Sequence, residues 1–270
     1  QVGAEGVTHD DQVSKVSVVG QNMATQTSVA SRMFRALADA NVNIQMITTS
    51  EIKISTLVPK NQASDALRAV HESFHLHERP NDAKSWGQIK AERRDKADVD
   101  TLVSRLQDDA LEALTLTGIS VTDSQARVTL YGVPDQPGIA ADMFETIGAA
   151  RIFVDMIVQG FDGEDGSTSV SFTVHRDDLE HSLDVAQEIR QKHDMRDAQG
   201  AADIAKVTVS GIGLRSHTHV GTILFQQLAE ADINVEMIGT SELQVNAVID
   251  EAKVRVAASR LKSAFADALL

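Results

Sequence analysis

Apolar positions along this chain keep two rhythms, and the order in which they alternate repeats. Val16 and Val18 stand between polar neighbours over Lys15 to Val19, the period of a strand with one buried face. After a loop from Gly20 to Thr27, residues Val29, Met33, Phe34 and Leu37 fall on one face of a helix from Ser28 to Ala40. Asn41 to Thr49 and Glu51 to Val58 read as two further strands, and Ala63 to Phe74 as a second amphipathic helix. The predicted order is β-α-β-β-α. It recurs over Arg127 to Tyr131, Gly138 to Ala149, Phe153 to Gln159, Ser167 to Val174 and Leu179 to Lys192. It recurs again over Lys206 to Ser210, Val220 to Ala231, Asn234 to Thr240, Glu242 to Ile249 and Lys253 to Leu269.

The repeat is visible in the letters as well as in the pattern. Phe34, Phe144 and Phe225 each lead by twelve residues to Met46, Met156 and Met237, so helix and following strand have one length in every copy. A β-α-β-β-α unit needs one more strand to become a four-stranded ferredoxin-like sheet covered by two helices. Strand-like segments outside the copies, Gly6 to Thr8 and Leu114 to Val121, are available for that role. The predicted class is α+β, tandem ferredoxin-like units with antiparallel sheets and helices on one face. Glu78 to Asp98 breaks the rhythm with Pro80, Asn81, Asp82 and the run Lys90 to Lys96, and reads as a solvated linker carrying the single Trp86. A short helix is predicted over Asp98 to Leu114.

Composition removes several functions. The formal net charge is −14 with no long basic run, which is not the footprint of a nucleic-acid or anionic-membrane binder. Zero cysteines exclude a disulfide framework, thiolate metal ligation and a cysteine nucleophile, and suit a reducing cytoplasm. No apolar run has the length of a membrane span, and the opening Gln1 to Glu5 is not a signal peptide. A start on Gln1 rather than Met is the pattern of a piece of a longer polypeptide.

Candidate chemistry is sparse. No P-loop, GxSxG, HExxH or kinase-like glycine-rich lysine motif is present, and Gly211-x-Gly213 lacks a third glycine. His71 and His75 stand four apart near a helix end without a zincin pattern, and a polar helix end is the simpler reading. His217 and His219 flank Thr218 in a loop. Asp162, Glu164 and Asp165 have the composition of a calcium loop but not its twelve-residue pattern, so an exposed hairpin tip is expected there. The loop Asp135-Gln136-Pro137-Gly138-Ile139-Ala140 opens a helix whose free N–H groups suit a carboxylate. Asp135 is placed to hold an α-ammonium, and Gln159 to meet a side chain. The alternative for 134–138 is a turn in which Pro137 sets φ and Gly138 avoids a clash.

Taken with its strands, that loop carries a family resemblance. Gly132 to Ala140 followed by Val154-Asp155-Met156-Ile157-Val158-Gln159 resembles the first ACT unit of the regulatory half of aspartate kinase. Ile204 to His217, with Asn234-Val235-Glu236-Met237-Ile238-Gly239-Thr240-Ser241-Glu242, resembles the second, and so does the opening copy with its own Thr49-Ser50-Glu51. The order second, first, second is what a four-ACT aspartate kinase leaves once its kinase domain and most of its first ACT unit are removed. The resemblance implies a remnant strand over 1–14, an ACT unit over 15–76, a linker with a short helix over 77–112, a strand over 113–125 completing the last unit, and ACT units over 126–200 and 201–270.

It also implies function: feedback control of aspartate-family (lysine and threonine) biosynthesis by lysine, threonine or both, bound between a first-type unit of one chain and a second-type unit of another. Carried over, Asp135, Gln136, Pro137, Gly138, Ile139, Ala140 and Gln159 form one wall, and Asn234 and Val235 the other. Asn43 and Ile44 are a possible second site, expected to lack a first-type partner within this chain. In both second-type copies Thr27-Ser28 and Thr218-His219 replace the Pro-Gly dipeptide, and fourteen residues separate Gly20 from Phe34 and Gly211 from Phe225, against twelve from Gly132 to Phe144. No catalytic site and no metal site is expected in this chain, and ATP and Mg belong only to a missing kinase domain. The implied partners are that kinase domain and a second copy in a homodimer, because ACT edge strands need covering. A dimerisation platform that binds nothing, or a free-standing ACT regulator of another enzyme, are the alternatives.

Overall fold

Within the described residues, the strands of each copy find antiparallel partners. In the computed structural model, which describes residues 9–20, 27–50, 52–78, 115–161, 168–214, 217, 219–241, 243–266 and 268, the opening copy is β1 (Val13–Val19), α1 (Thr27–Asp39), β2 (Met46–Ser50), β3 (Lys53–Pro59) and α2 (Ala63–Ser73). The middle copy is the second half of β4 (Thr115–Val133), then α3 (Ile139–Ala149), β5 (Ile157–Phe161), β6 (Thr168–His175) and α4 (Leu179–Lys192). The third is β7 (Asp197–Ile212), α5 (His219–Ala229), β8 (Val235–Thr240), β9 (Gln244–Asp250) and α6 (Val254–Ala264). The tandem α+β architecture expected from the repeat is the one observed. The predictions for Gly6 to Thr8, Trp86, the 98–114 helix and the tip carrying Asp162, Glu164 and Asp165 lie outside the described residues.

The chain divides into two compact units, residues 1–75 with 124–202 and residues 76–123 with 203–270, and it passes between them inside β4 and β7. In the first unit the strand order is β1-β3-β2-β5-β6-β4, and neighbouring strands pair antiparallel. The opening and middle copies meet at β2 and β5, where Thr48 lies opposite Val158 and the Ile157 N–H donates to Thr49 Oγ1 at 2.9 Å. Above that seam Phe34 of α1 meets Phe144 of α3 edge to face, 5.3 Å between centroids, and Phe144 meets Phe172 of β6 at 6.2 Å. The two copies therefore share one core, running from Val16 and Leu37 through Ile147 to Ile189.

The second unit pairs β7 with β9 and β9 with β8. Val207, Val209, Ala247 and Ile249 pack under Leu224 of α5 and Leu261 of α6. Leu116 of β4 is fully buried in the same core, and its N–H donates to the Ala268 carbonyl at 3.1 Å. β8 ends the strand order with Ile238 47% exposed, and Phe225, at the repeat position of the fully buried Phe34, is half-buried.

One helix closure is used three times. Asn41, Arg151 and Asp232, each seven residues past the shared Phe, take left-handed φ of 54°, 60° and 54°. The next residue donates back across the turn: Val42 to Leu37 O at 2.9 Å, Ile152 to Ile147 O at 3.2 Å, Ile233 to Leu228 O at 3.0 Å. Val42, Ile152 and Ile233 are buried, so the Schellman turn also plants an apolar side chain in the core. This closure corrects two predicted strands. Residues 41–45 and 153–156 lie outside the strands, and β2 and β5 begin only at Met46 and Ile157. A second correction concerns 122–126, whose polar Asp123-Ser124-Gln125 continues β4 where a break was expected.

Candidate functional site

The residues after α1 face the loop that opens α3. That loop begins at a bulge: the β4–β6 register shifts between Tyr131 and Val133, and Gly132 takes a φ of 70°. A side chain there would have its Cβ 2.8 Å from Arg196 Cβ and 2.9 Å from Arg196 N, so both the backbone and the close approach demand glycine. Pro134 O then accepts from Gln136 N at 3.0 Å, and Gly138, with φ 96°, stands as the cap of α3 without any side-chain cap bond. The Asp142 N–H makes the helical bond to Gly138 O at 2.9 Å. Ile139 N donates back to Gln136 O at 3.4 Å, so the N–H groups of Ala140 and Ala141, at the positive end of the helix, are those that face an outside acceptor.

Around that helix start lies a small recess open to solvent, with room for about one water molecule. Asp135, Gln136, Gly138, Ile139, Ala140 and Gln159, six of the seven residues predicted from the middle copy, line it. Pro137 belongs to the same loop but not to the lining. The opposite wall is Ile44 with Val42 and Phe34. Asn43 Nδ2 donates to Asp135 Oδ1 at 2.8 Å and so ties the two copies together at the recess. Gln159 Nε2 lies 3.5 Å from Thr168 Oγ1, which itself donates to Val133 O at 3.3 Å.

Asn43 and Ile44 thus have a first-type partner within this chain, contrary to expectation. The side-by-side packing of α1 on α3 brings them to the loop; Ala38 Cβ of α1 is the nearest atom, at 3.9 Å, to a Cβ placed on Gly138. Asn234 and Val235, predicted for the facing wall, are in the second unit and are not among the residues lining this recess. His217 Nδ1 sits 2.9 Å from Gly213 O and its ring meets His219 edge to face at 5.4 Å, contacts that hold the loop of the third copy. His71 and His75 are exposed at the end of α2.

Sequence reasoning missed a charged clamp one turn below the recess. Arg35 of α1 donates through Nε to Glu145 Oε1 at 2.7 Å and through Nη2 to Glu145 Oε2 at 2.5 Å and Asp142 Oδ1 at 2.7 Å. Lys192 Nζ reaches the other Asp142 oxygen at 3.1 Å. The Arg35 guanidinium holds both carboxyls below the usual carboxylate range. Burial, then Lys192, push the nearby His193 imidazole down against the pull of Asp142, which leaves Arg35 and Lys192 as the cations balancing Asp142 at neutral pH. The only sequence signal was the charge of Arg35, beside the apolar positions Phe34 and Leu37 of the same helix.

With this geometry in place, comparison with known proteins is specific. The chain belongs to the ACT domain family, whose model matches residues 16–74, 128–188 and 207–265. Within that family it carries the regulatory ACT region of aspartate kinases. It is 40% identical over 165 residues to an aspartate kinase of Stutzerimonas stutzeri, a match covering 61% of this chain and 40% of that one. The crystal structure of aspartate kinase from Synechocystis superposes over 96% of this chain and 40% of its own, with a TM-score of 0.77 and 28% identity. The regulatory subunit of aspartate kinase from Thermus flavus matches 56% of this chain and 99% of its own, with a TM-score of 0.53 and 35% identity. The chain spans about two fifths of the length of the curated relatives it matches. No helix among the described residues is long and apolar enough to cross a membrane.

The clamp makes a pH-dependent prediction. Because Asp142 and Glu145 have lowered folded-state pKa values, their stabilisation is present above the ordinary carboxylate pKa of about 4 and is lost as pH falls through the lowered values. Arg35 and Glu145 are 37% and 43% exposed, so solvent screening keeps the effect near 1 kcal/mol or less. Arg35→Gln is expected to lower the urea midpoint at pH 7 and to converge on the unaltered chain near pH ~2. An equal deficit at both pH values would assign the loss to packing.

Proposed function

We propose that this chain is the amino-acid-sensing part of an aspartate kinase, binding lysine, threonine or both and transmitting occupancy to a kinase domain as feedback control in the cytoplasm. The observation that carries the reading is the recess between the opening and middle copies. It combines an uncapped helix start, a carboxylate at Asp135 and an amide at Gln159 around an apolar floor. A zwitterion fits those groups: the ligand carboxylate goes to the first N–H groups of α3, and its α-ammonium replaces the Asn43 amide at Asp135. An effector that binds here inhibits only by the difference in its affinity for two global states.

The test is calorimetry of the chain with lysine and with threonine. Losing one buried or charge-assisted polar contact costs roughly 1 to 3 kcal/mol, so Asp135→Ala and Gln159→Ala are expected to weaken binding about tenfold or more. Asp162→Ala, where the sequence predicts an exposed tip, is expected to change nothing. In the whole enzyme the first two substitutions relieve inhibition and leave uninhibited turnover near its starting value. Unchanged affinity in both variants moves the site elsewhere, and no heat with either amino acid favours the dimerisation platform.

Assembly belongs to the same proposal. Asn234 and Val235 stand nine residues past Phe225, as Asn43 and Ile44 begin nine past Phe34, and so occupy the matching position for a second site completed by a first-type loop of another chain. The edge strand β8, exposed Ile238 and half-exposed Phe225 support a homodimer formed through that face. Sedimentation is expected to give a dimer that Ile238→Lys dissociates; a monomer at high concentration would remove the proposal.

A further inference from the structure

We infer that the turn leaving α2 is a binding site for a divalent transition-metal ion of the zinc, nickel or copper class, held by His75, His77 and Glu78. The site is separate from the amino-acid recess and stands or falls independently of it. Among the described residues, these three side chains bring one ligand atom each to within 4.8 Å of one another. A tetrahedral ion with bonds of about 2.0 to 2.1 Å sets its donors roughly 3.4 Å apart. His77 Nε2 lies 3.5 Å from Glu78 Oε1, so that pair has the spacing of two ligands on one ion. The His75 imidazole has only to close a gap of less than 4.8 Å, and all three side chains are exposed, where rotation meets little packing.

The backbone explains the convergence. On a continuous helix, residues two apart point to different sides, so His75 and His77 could not share an ion. α2 stops at Ser73: Phe74 caps it, its N–H donating to Val70 O at 3.1 Å, and His75 takes a left-handed φ of 52° while its N–H donates to Glu72 O at 2.9 Å. The turn that follows gathers residues 75, 77 and 78. His71 stays on the helix and His75 leaves it, so the i, i+4 spacing of that pair gives way to a tighter local set. Donor chemistry then selects the ion. Two imidazoles with a carboxylate suit zinc, nickel and copper, whereas magnesium and calcium take oxygen ligands. Three protein donors leave the remaining coordination positions to water or to an outside ligand, so the ion held here is an exchangeable one.

The experiment titrates the tag-free full chain with Zn2+ in a calorimeter, with and without excess Mg2+, and repeats the series on His75→Asn, His77→Gln, Glu78→Gln and His175→Gln. Asn at position 75 keeps a residue that accepts left-handed backbone. His175 is the control: its Nδ1 stands 3.4 Å from Asp177 Oδ2, but it belongs to no group of three donors among the described residues. The unaltered chain is expected to bind Zn2+ in the presence of Mg2+. His75→Asn and His77→Gln should each weaken that binding about tenfold or more, Glu78→Gln should weaken it less, and His175→Gln should leave it unchanged. Co2+ in place of Zn2+ should give a visible absorption band that His77→Gln removes. Absence of Zn2+ binding to the unaltered chain overturns the inference, as does unchanged affinity in both histidine variants or displacement of Zn2+ by Mg2+. His77→Gln and Glu78→Gln, away from the left-handed position, decide the matter if His75→Asn does not fold.

Discussion

The edge-to-face contact of Phe34 with Phe144 is the constraint on which the site depends. Aromatic pairs of this geometry add to the large apolar area each ring buries, and both rings here are almost wholly removed from water. Their contact sets α1 beside α3, which in turn places Ala38 against Gly138 and brings the chain leaving α1 to the loop entering α3. The seam continues below the helices as the β2–β5 pairing. Two copies that read as separate domains in the letters thereby become one hydrophobic core.

Because that core is close-packed, a change at its edge is not absorbed locally. The recess lies at the edge, with one wall from each copy and the Asn43–Asp135 bond across it. In the proposed reading a ligand ammonium exchanges with the Asn43 amide, and the two copies are then held through the ligand. The Arg35 clamp lies on the same helices and neutralises Asp142 in the first turn of α3. Without that compensation the Asp142 carboxylate would oppose a ligand carboxylate at the helix start. Sensing and packing thus rest on the same pair of helices.

Much of this was legible in the sequence. The twelve-residue spacing from Phe34, Phe144 and Phe225 fixed the length of each helix-and-strand pair, and the Pro134 to Gly138 loop marked the helix start that lines the recess. Strand starts were drawn too early at Asn41 and Phe153 because alternating apolar residues indicate extended chain, whereas a strand also needs a partner at hydrogen-bonding distance. Asn43 lies in the first of these segments, and its side-chain amide reaches across the recess to Asp135. The Schellman closures at Asn41, Arg151 and Asp232 were hidden because the left-handed position carries no glycine in any copy. Which copies pair is a property of tertiary packing: the motif favoured Asn234 and Val235 as the facing wall and left Asn43 and Ile44 as a possible second site, whereas the packing of α1 on α3 brings Asn43 to the loop.

In the proposed reading the amino-acid site is completed within one chain by the opening and middle copies. Backbone amide chemical shifts of the isotopically labelled chain, followed through a threonine titration, test it most directly. The shifts of Asn43, Ile44, Asp135, Ile139, Ala140 and Gln159 are expected to move together with one saturation curve, while Asn234 and Val235 stay in place at concentrations that fill the site. Movement at Asn234 and Val235 with Asn43 and Ile44 unmoved would contradict it and place the ligand between chains.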